Sequence, residues 1–329
     1  FKYPLSDEVI GAARGVIVHS RYMEGLVRAV RPDVPVRVVP MGVPLPPLID
    51  KQEARAYLGI DPGLFLVTSV GHLNPYKRVS ATLRAFKALL MEVPNALYLL
   101  VGSRSPHYDP ARQVEMLELS HRVKTTGYVS SADLPYYLAA SDVCLNLRWP
   151  TAGETSASLL RIMGAGVPVL VSRTGSFEEL PDDAAGKVDV GDIEEELLLA
   201  YLLLLARHPD VREAMSRAAR RYVAEHHTLE GAAHGYLQFL SSLDGKQPEI
   251  TVPALSPAPA PPYTSDTPHR PRITISPTLA PPPVLTRPPD DPLAILAEAA
   301  AELGIDDKDY ISLKTLAAAV ADLTPSDER

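Results

Sequence analysis

The chain has 329 residues, 46% of them hydrophobic and 22% charged, enough for a sizeable core and for about two domains at ~150 residues each. A net charge of -8 argues against broad polyanion binding, so no nucleic-acid partner is expected. A single cysteine, Cys144, excludes a disulfide framework and a cysteine-based metal site, and fits a reducing compartment.

The opening FKYPLSDEVIGAARG has no basic stretch followed by an apolar one, so it does not read as a signal peptide. There is no initiator Met, and the chain opens as though inside a domain. GVIVHS (15–20) predicts a strand, with Ser20 capping a helix over RYMEGLVRAV. VRVVPMG (36–42) predicts another strand, followed by the proline-rich crossing VPLPPL. FLVTSVG (65–71) is a strand and VSATLRAFKALLMEV (79–93) a helix, its apolar residues spaced by three and four. ALYLLVG (96–102) is a strand, ADLPYYLAAS (132–141) a helix, VCLNL (143–147) a strand, SASLLRIMGAG (156–166) a helix and VPVLVS (167–172) a strand. Helices fill most of 192–243. The run LLLAYLLLLA (197–206) is far short of the ~20 apolar residues of a membrane span, so it predicts a core helix and no transmembrane segment. Strands separated by helical runs of this length give βαβ units: an α/β fold with a doubly wound, Rossmann-like, mainly parallel sheet.

Composition changes at residue 244. Residues 244–292 hold 15 of the 33 prolines, and such a segment buries too little apolar surface to offset its ordering entropy. It reads as a disordered, proline-rich linker. Residues 293–329 read as a short helical module, two amphipathic helices broken at Gly304, and on a long tether they suggest a docking element for a protein partner.

In open α/β sheets ligands sit beyond the carboxyl ends of the strands. The polar loops GHLNPYKR (71–78), GSRSPHYD (102–109), RWPTAGETS (148–156) and RTGSFEEL (173–180) all leave that edge. Gly153, Thr155 and Ser156 open a helix whose free N–H groups and dipole suit a phosphate, and Lys77 supplies a positive charge from a neighbouring loop. Each feature also has a plainer meaning. Ser156 or Thr155 can simply cap a helix, Lys77 can be a solvated surface lysine, and Glu154 can favour the helix dipole. GAGVPV (164–169) precedes a strand, so it is a helix-to-strand turn and not a dinucleotide loop. His19 reads as structural, Asp182 and Asp183 as solvated turn residues. His226 and His227 lie far from any carboxylate cluster, and no Asp-x-Asp near a strand end could hold a nucleotide-bound cation, so no metal site is expected.

The ordered set VTSVGHLNPYKR, ALYLLVG and TTGYVSSADLPYYLAASDVCLNLRWPTAGETSASLLRIMGAGVPVLVS resembles the nucleotide-sugar-binding half of the GT-B retaining glycosyltransferases of group 1, or family 4, across about residues 60–240. AARGVIVHSRY and VVPMGV resemble the end of that family's acceptor-side domain. The resemblance thus reads 1–45 as an acceptor-side remnant and crossover and 46–243 as a donor domain, ahead of the linker (244–292) and helical module (293–329) read from composition. It implies sugar transfer from a nucleoside-diphosphate sugar with retained configuration and no metal, and no cofactor besides the donor, which is a substrate. The expected acceptor is a sugar, glycolipid or polysaccharide. The expected location is cytoplasmic, peripheral at the inner membrane face.

By the same resemblance, the family's G-R-x4-K loop falls on Gly71, His72 and Lys77, with His72 in place of the arginine. Its E-x7-E carboxylates fall at Gly153 and Arg161; Glu154 stands one residue from the first. Lys77 and Glu154 are the implied catalytic residues. Gly71, His72, Lys77, Arg148, Gly153, Glu154, Thr155, Ser156 and Tyr128 are the implied donor set, with Tyr128 in the base-pocket loop unless it is a core tyrosine. The alternatives are a non-catalytic nucleotide-sugar-binding or scaffolding module, and a sugar-nucleotide epimerase on the same fold.

Overall fold

The computed structural model describes residues 4–244 except 106 and 107; the proline-rich segment beyond 244 and the helices expected at 293–329 lie outside the described residues. The chain opens with α1 (Pro4–Ala12), β1 (Val16–Val18), α2 (Arg21–Val30) and β2 (Val36–Val38), the two strands pairing in parallel. Ser20 caps α2 as expected, accepting from the Met23 N–H at 3.2 Å. β2 ends at Val38, four residues short of the predicted run. The segment through Pro46 then leads to α3 (Lys51–Leu58), an element the apolar pattern alone does not announce.

A six-stranded sheet follows, built from β3 (Phe65–Val70), β4 (Ala96–Val101), β5 (Val123–Gly127), β6 (Val143–Asn146), β7 (Val169–Ser172) and β8 (Gly186–Val188). Its order is β5-β4-β3-β6-β7-β8 and every pairing is parallel, as the doubly wound reading requires. The helices between are α4 (Val79–Glu92), α5 (Ala111–Met116), α6 (Leu134–Ala140) and α7 (Ala157–Gly164), followed by α8 (Glu194–Arg207), α9 (Pro209–His226) and α10 (Leu229–Asp244). One face of the sheet (Leu66, Leu97, Leu99, Cys144, Val169) packs on α3, α6, α7 and α9; the other (Phe65, Val67, Tyr98, Leu100, Leu145) packs on α4, α5 and α8. Covered on both faces, the central strands are mostly apolar, with Thr68, Ser69, Asn146 and Ser172 the exceptions, which is why they are legible as near-continuous runs. The apolar α8 is a core helix, with Leu198, Leu202 and Leu205 buried, and among the described residues no helix is long and apolar enough to cross a membrane.

Two features of this frame matter for the site. From β3 the chain winds outward to β4 and β5; from β6 it winds the other way to β7 and β8. The topological switch therefore lies between β3 and β6, and their carboxyl ends open a crevice. At the opposite end, Arg55 ties the layers together. Its guanidinium donates to the carbonyls of Ala140 (3.0 Å) and Pro62 (2.7 Å) and to the Asp142 carboxylate (2.7 Å), which also accepts from Leu66 N–H (2.7 Å) and Lys51 (2.9 Å). The last helices return to the amino-terminal unit: Val43 N–H donates to the His227 carbonyl (2.9 Å) and Arg14 to the Leu243 carbonyl (3.0 Å).

Candidate donor site

The loop after β3 is stitched to the loop after β4. Gly71 N–H donates to Val101 (2.9 Å), Leu73 N–H to Ser103 (2.8 Å), and Ser105 N–H back to Leu73 (2.8 Å). The approach is close enough to demand glycine: at Gly102, with φ +147°, a Cβ would stand 2.0 Å from the Gly71 carbonyl oxygen. His72 is exposed, its Nδ1 2.9 Å from Ser103 Oγ. A 3₁₀ turn, Pro75–Lys77, then folds Lys77 back over Gly71. A Cβ on Gly71 would lie 3.6 Å from Lys77 Nζ and 3.9 Å from Ser158 Oγ, so the ammonium hangs close to the first turn of α7.

Lys77 is half-buried, and its ammonium has no hydrogen-bond or ion-pair partner among the described residues. Burial, with the positive charge of Arg148 next and Glu154 opposing, lowers its pKa to about 8. This corrects the solvated-surface alternative: a surface lysine has neither the desolvation nor the like-charged neighbour.

Arg148, two residues past the end of β6, is buried. Its guanidinium lies 5.6 Å from the ring centroids of both Tyr76 and Phe177, its N–H donates to Ser172 Oγ (2.9 Å), and its Nη1 pairs with Glu154. Its Nε has no acceptor among the described residues. The Glu154 carboxylate also accepts from Ala152 N–H (3.0 Å) and the Thr151 hydroxyl (3.3 Å). Burial alone would raise its pKa, but its own N–H, Arg148 and Ala152 outweigh that and hold it below the usual carboxylate value.

Ser156 is the N-cap of α7, its Oγ accepting from Leu159 N–H (3.3 Å), so its side chain has the plain capping role. The first-turn N–H groups of a helix nonetheless have no carbonyl partner within it. Thr155 is half-buried beside it. Gly153, at φ +84°, lets the loop press on α2: a Cβ there would meet Met23 Sδ at 2.5 Å. Glu179, following β7, caps the same helix by accepting from the N–H groups of Arg21 (3.0 Å) and Tyr22 (2.7 Å).

The crevice thus gathers Gly71, Lys77, Arg148, Gly153, Glu154, Thr155 and Ser156. Tyr128 follows Gly127, which ends edge strand β5 and bridges to Gly102 beside Gly71, and it is 82% exposed, which overturns its core-tyrosine alternative. Arg161 is exposed on α7. Asp182 and Asp183 are not merely solvated: they pair with Lys187 (2.6 Å) and Arg221 (3.3 Å). His19 and His227 set their Nδ1 atoms 2.8 and 2.9 Å from the carbonyls of Val39 and Met41. Four residues at the site carry no recognisable motif: Tyr76 and Phe177 sandwich Arg148, and Asn146 donates to Ser158 Oγ (3.1 Å). Asn146 Oδ1 and Asn74 Oδ1 are buried without a donor among the described residues.

A doubly wound parallel sheet with a cationic crevice at its switch point defines a Rossmann-like α/β architecture. The chain belongs to the glycosyl transferases group 1 family, whose pattern it matches over residues 50–222. The alpha-monoglucosyldiacylglycerol synthase of Streptococcus pneumoniae is 27% identical over 207 residues, 60% of this chain and 46% of that protein. The GDP-mannose-dependent monoacylated alpha-(1-6)-phosphatidylinositol monomannoside mannosyltransferase of Corynebacterium glutamicum is 27% identical over 179 residues, 53% and 46% of the two chains. The chain spans about half the length of the curated relatives it matches. Among solved structures, the sucrose-phosphate synthase of Thermosynechococcus elongatus superposes with a TM-score of 0.63 at 22% identity, over 73% of this chain and 61% of that one. Anabaena Alr3699/HepE in complex with UDP gives 0.63 at 19% identity, over 72% and 68%. These likenesses show the GT-B, Rossmann-like fold.

Proposed function

We propose that this chain is the donor-binding part of a glycosyltransferase that moves a sugar from a nucleoside-diphosphate sugar with retained configuration and without a divalent ion. The observation that carries the reading is Lys77: a half-buried ammonium with no partner among the described residues, set beside Arg148 at the switch-point crevice. The UDP complex of Alr3699/HepE supports a nucleotide donor. In this reading the bond between the sugar C1 and the β-phosphate oxygen breaks, and its electron pair stays on the phosphate. Lys77, Arg148 and the N–H groups opening α7 stabilise that charge, so the reading calls on no metal. The acceptor hydroxyl bonds to C1 on the same face and gives its proton to the departing phosphate oxygen. The names of the two relatives, one making a glucosyldiacylglycerol and the other acting on a phosphatidylinositol mannoside, favour a lipid-linked acceptor and hence peripheral work at a membrane surface, which we place on the cytoplasmic side.

The test is thermal unfolding of the chain against UDP, GDP, ADP and their sugar conjugates. At 100 times Kd a bound nucleotide adds ~2.7 kcal/mol, about 5–10 °C for a unit of this size. We expect one nucleotide to give that shift and Lys77→Ala to abolish it; equal shifts in both proteins overturn the assignment of Lys77. A binding module without transfer is favoured by two observations: His72 faces Ser103, and the exposed Arg161 stands at the position of the family's second carboxylate. It predicts the same shift with no sugar transfer.

A further inference from the structure

Two cations face one carboxylate at the crevice, and the carboxylate accepts from three donors. Glu154 takes Arg148 Nη1, the N–H of Ala152 at 3.0 Å and the Thr151 hydroxyl at 3.3 Å. A guanidinium together with main-chain N–H groups ahead of a helix is the donor set that a phosphate takes. The two partners differ in freedom. Arg148 is 7% exposed, sandwiched by Tyr76 and Phe177 and anchored through its N–H to Ser172. Glu154 is 42% exposed, on a loop that turns at Gly153. The cation is therefore fixed and the carboxylate is the side that can leave. Arg148 Nε is buried and lacks an acceptor among the described residues, so the guanidinium offers more than Glu154 uses.

We propose that Glu154 is a built-in stand-in for the donor's diphosphate: it fills the anion subsite of the empty protein, and an incoming phosphate displaces it from Arg148 and the Ala152 N–H. The proposal rests on the donor reading above and adds a selectivity to it. A tethered carboxylate competes at a high effective concentration, so a small anion that offers Arg148 nothing further does not displace it. A diphosphate gains Arg148 together with Lys77, which has no partner among the described residues. The stand-in also keeps the buried guanidinium compensated while the site is empty, which an unpaired buried charge would not be.

Calorimetric titration with inorganic pyrophosphate, orthophosphate, UDP, GDP and ADP tests this on the wild-type chain, Glu154→Gln and Glu154→Ala, with unfolding scans of each to establish that it folds. We expect both variants to bind pyrophosphate and the preferred nucleotide roughly tenfold tighter or more, the scale of one lost charge-assisted competitor. Orthophosphate binding should become measurable in the variants, and their ligand-free melting temperature should fall. Wild-type binding with unchanged or weaker binding in both variants overturns the stand-in while leaving the donor reading in place. No binding by any of the proteins overturns the donor reading, and the stand-in with it.

Discussion

An ammonium packed near a buried guanidinium weighs against the fold until an anion arrives, and Lys77 is in that position. Its pKa in the folded chain is about 8 against 10.5 for the ordinary lysine. Between those values the unfolded chain binds more protons than the folded one, so this group makes stability rise as pH goes from about 8 to 10.5. Below pH 8 the unfavourable charge is present in full. We expect Lys77→Met to melt higher than wild type at pH 7 without ligand, and the difference to shrink by pH 10. Scans at both pH values check this; a lower melting point at pH 7 would mean that the ammonium is satisfied in the empty site. Lys77, Gly71, Glu154 and Ser156 were legible because each has a fixed place in a local run of loop residues. Arg148 was legible as a loop cation but not as a buried one, since charged residues are rarely buried unless paired. Asn146, Ser158, Tyr76 and Phe177 could not be read at all: the crossing of β3, β6 and β7 brings them together, and no local pattern records it.

The long central elements announced themselves and the marginal ones did not. β3, β4, β6 and β7 are buried on both faces, so their apolar runs stand out. β5, VKTTG, lies at the sheet edge with one apolar side chain, and β8 is three residues, GKV. Neither has an alternation to detect. α3 is eight residues, but its ends were signalled: Asp50 caps the Gln52 and Glu53 N–H groups, and Gly59 closes it at φ +70°. The contact between α2 and the donor loops is also made at a helix end. Glu179 satisfies two N–H groups that α2 cannot satisfy itself, while Ser20 takes a third. Glu179→Ala should cost about 1 kcal/mol, the usual value of a lost cap. Hydrogen exchange should show the Arg21 and Tyr22 amides losing protection while α7 is unaffected; unchanged exchange at both would show that α2 is held by the Gly153 contact alone.

Across the whole molecule the sheet divides labour between its two ends. The carboxyl ends of β3 and β6 carry a charge without a partner and the buried amide oxygens of Asn74 and Asn146 without donors among the described residues, a surface poor in internal satisfaction. The amino ends carry the opposite: Arg55 and Asp142, both buried, with Ala140, Pro62, Leu66 and Lys51 meeting their polar atoms. One end holds the layers and the other is open to a ligand. The strands separating them rise ~3.3 Å per residue, so the two sets stand about 15 Å apart along β3. Groups that far apart, with no shared partner, should act independently. Arg55→Leu removes one half of a buried pair and leaves Asp142 with Lys51 and a backbone N–H, which should lower stability by about 3 kcal/mol. Its nucleotide affinity, measured below the melting range, should stay within about twofold of wild type on the same ground of independence. Lys77→Met should do the reverse, losing the ligand while keeping or raising stability. Urea unfolding and calorimetry on the two variants make the comparison. If Arg55→Leu weakened nucleotide binding tenfold, β3 and β6 would have to transmit strain from one end to the other, and the division between a holding end and a binding end would fall.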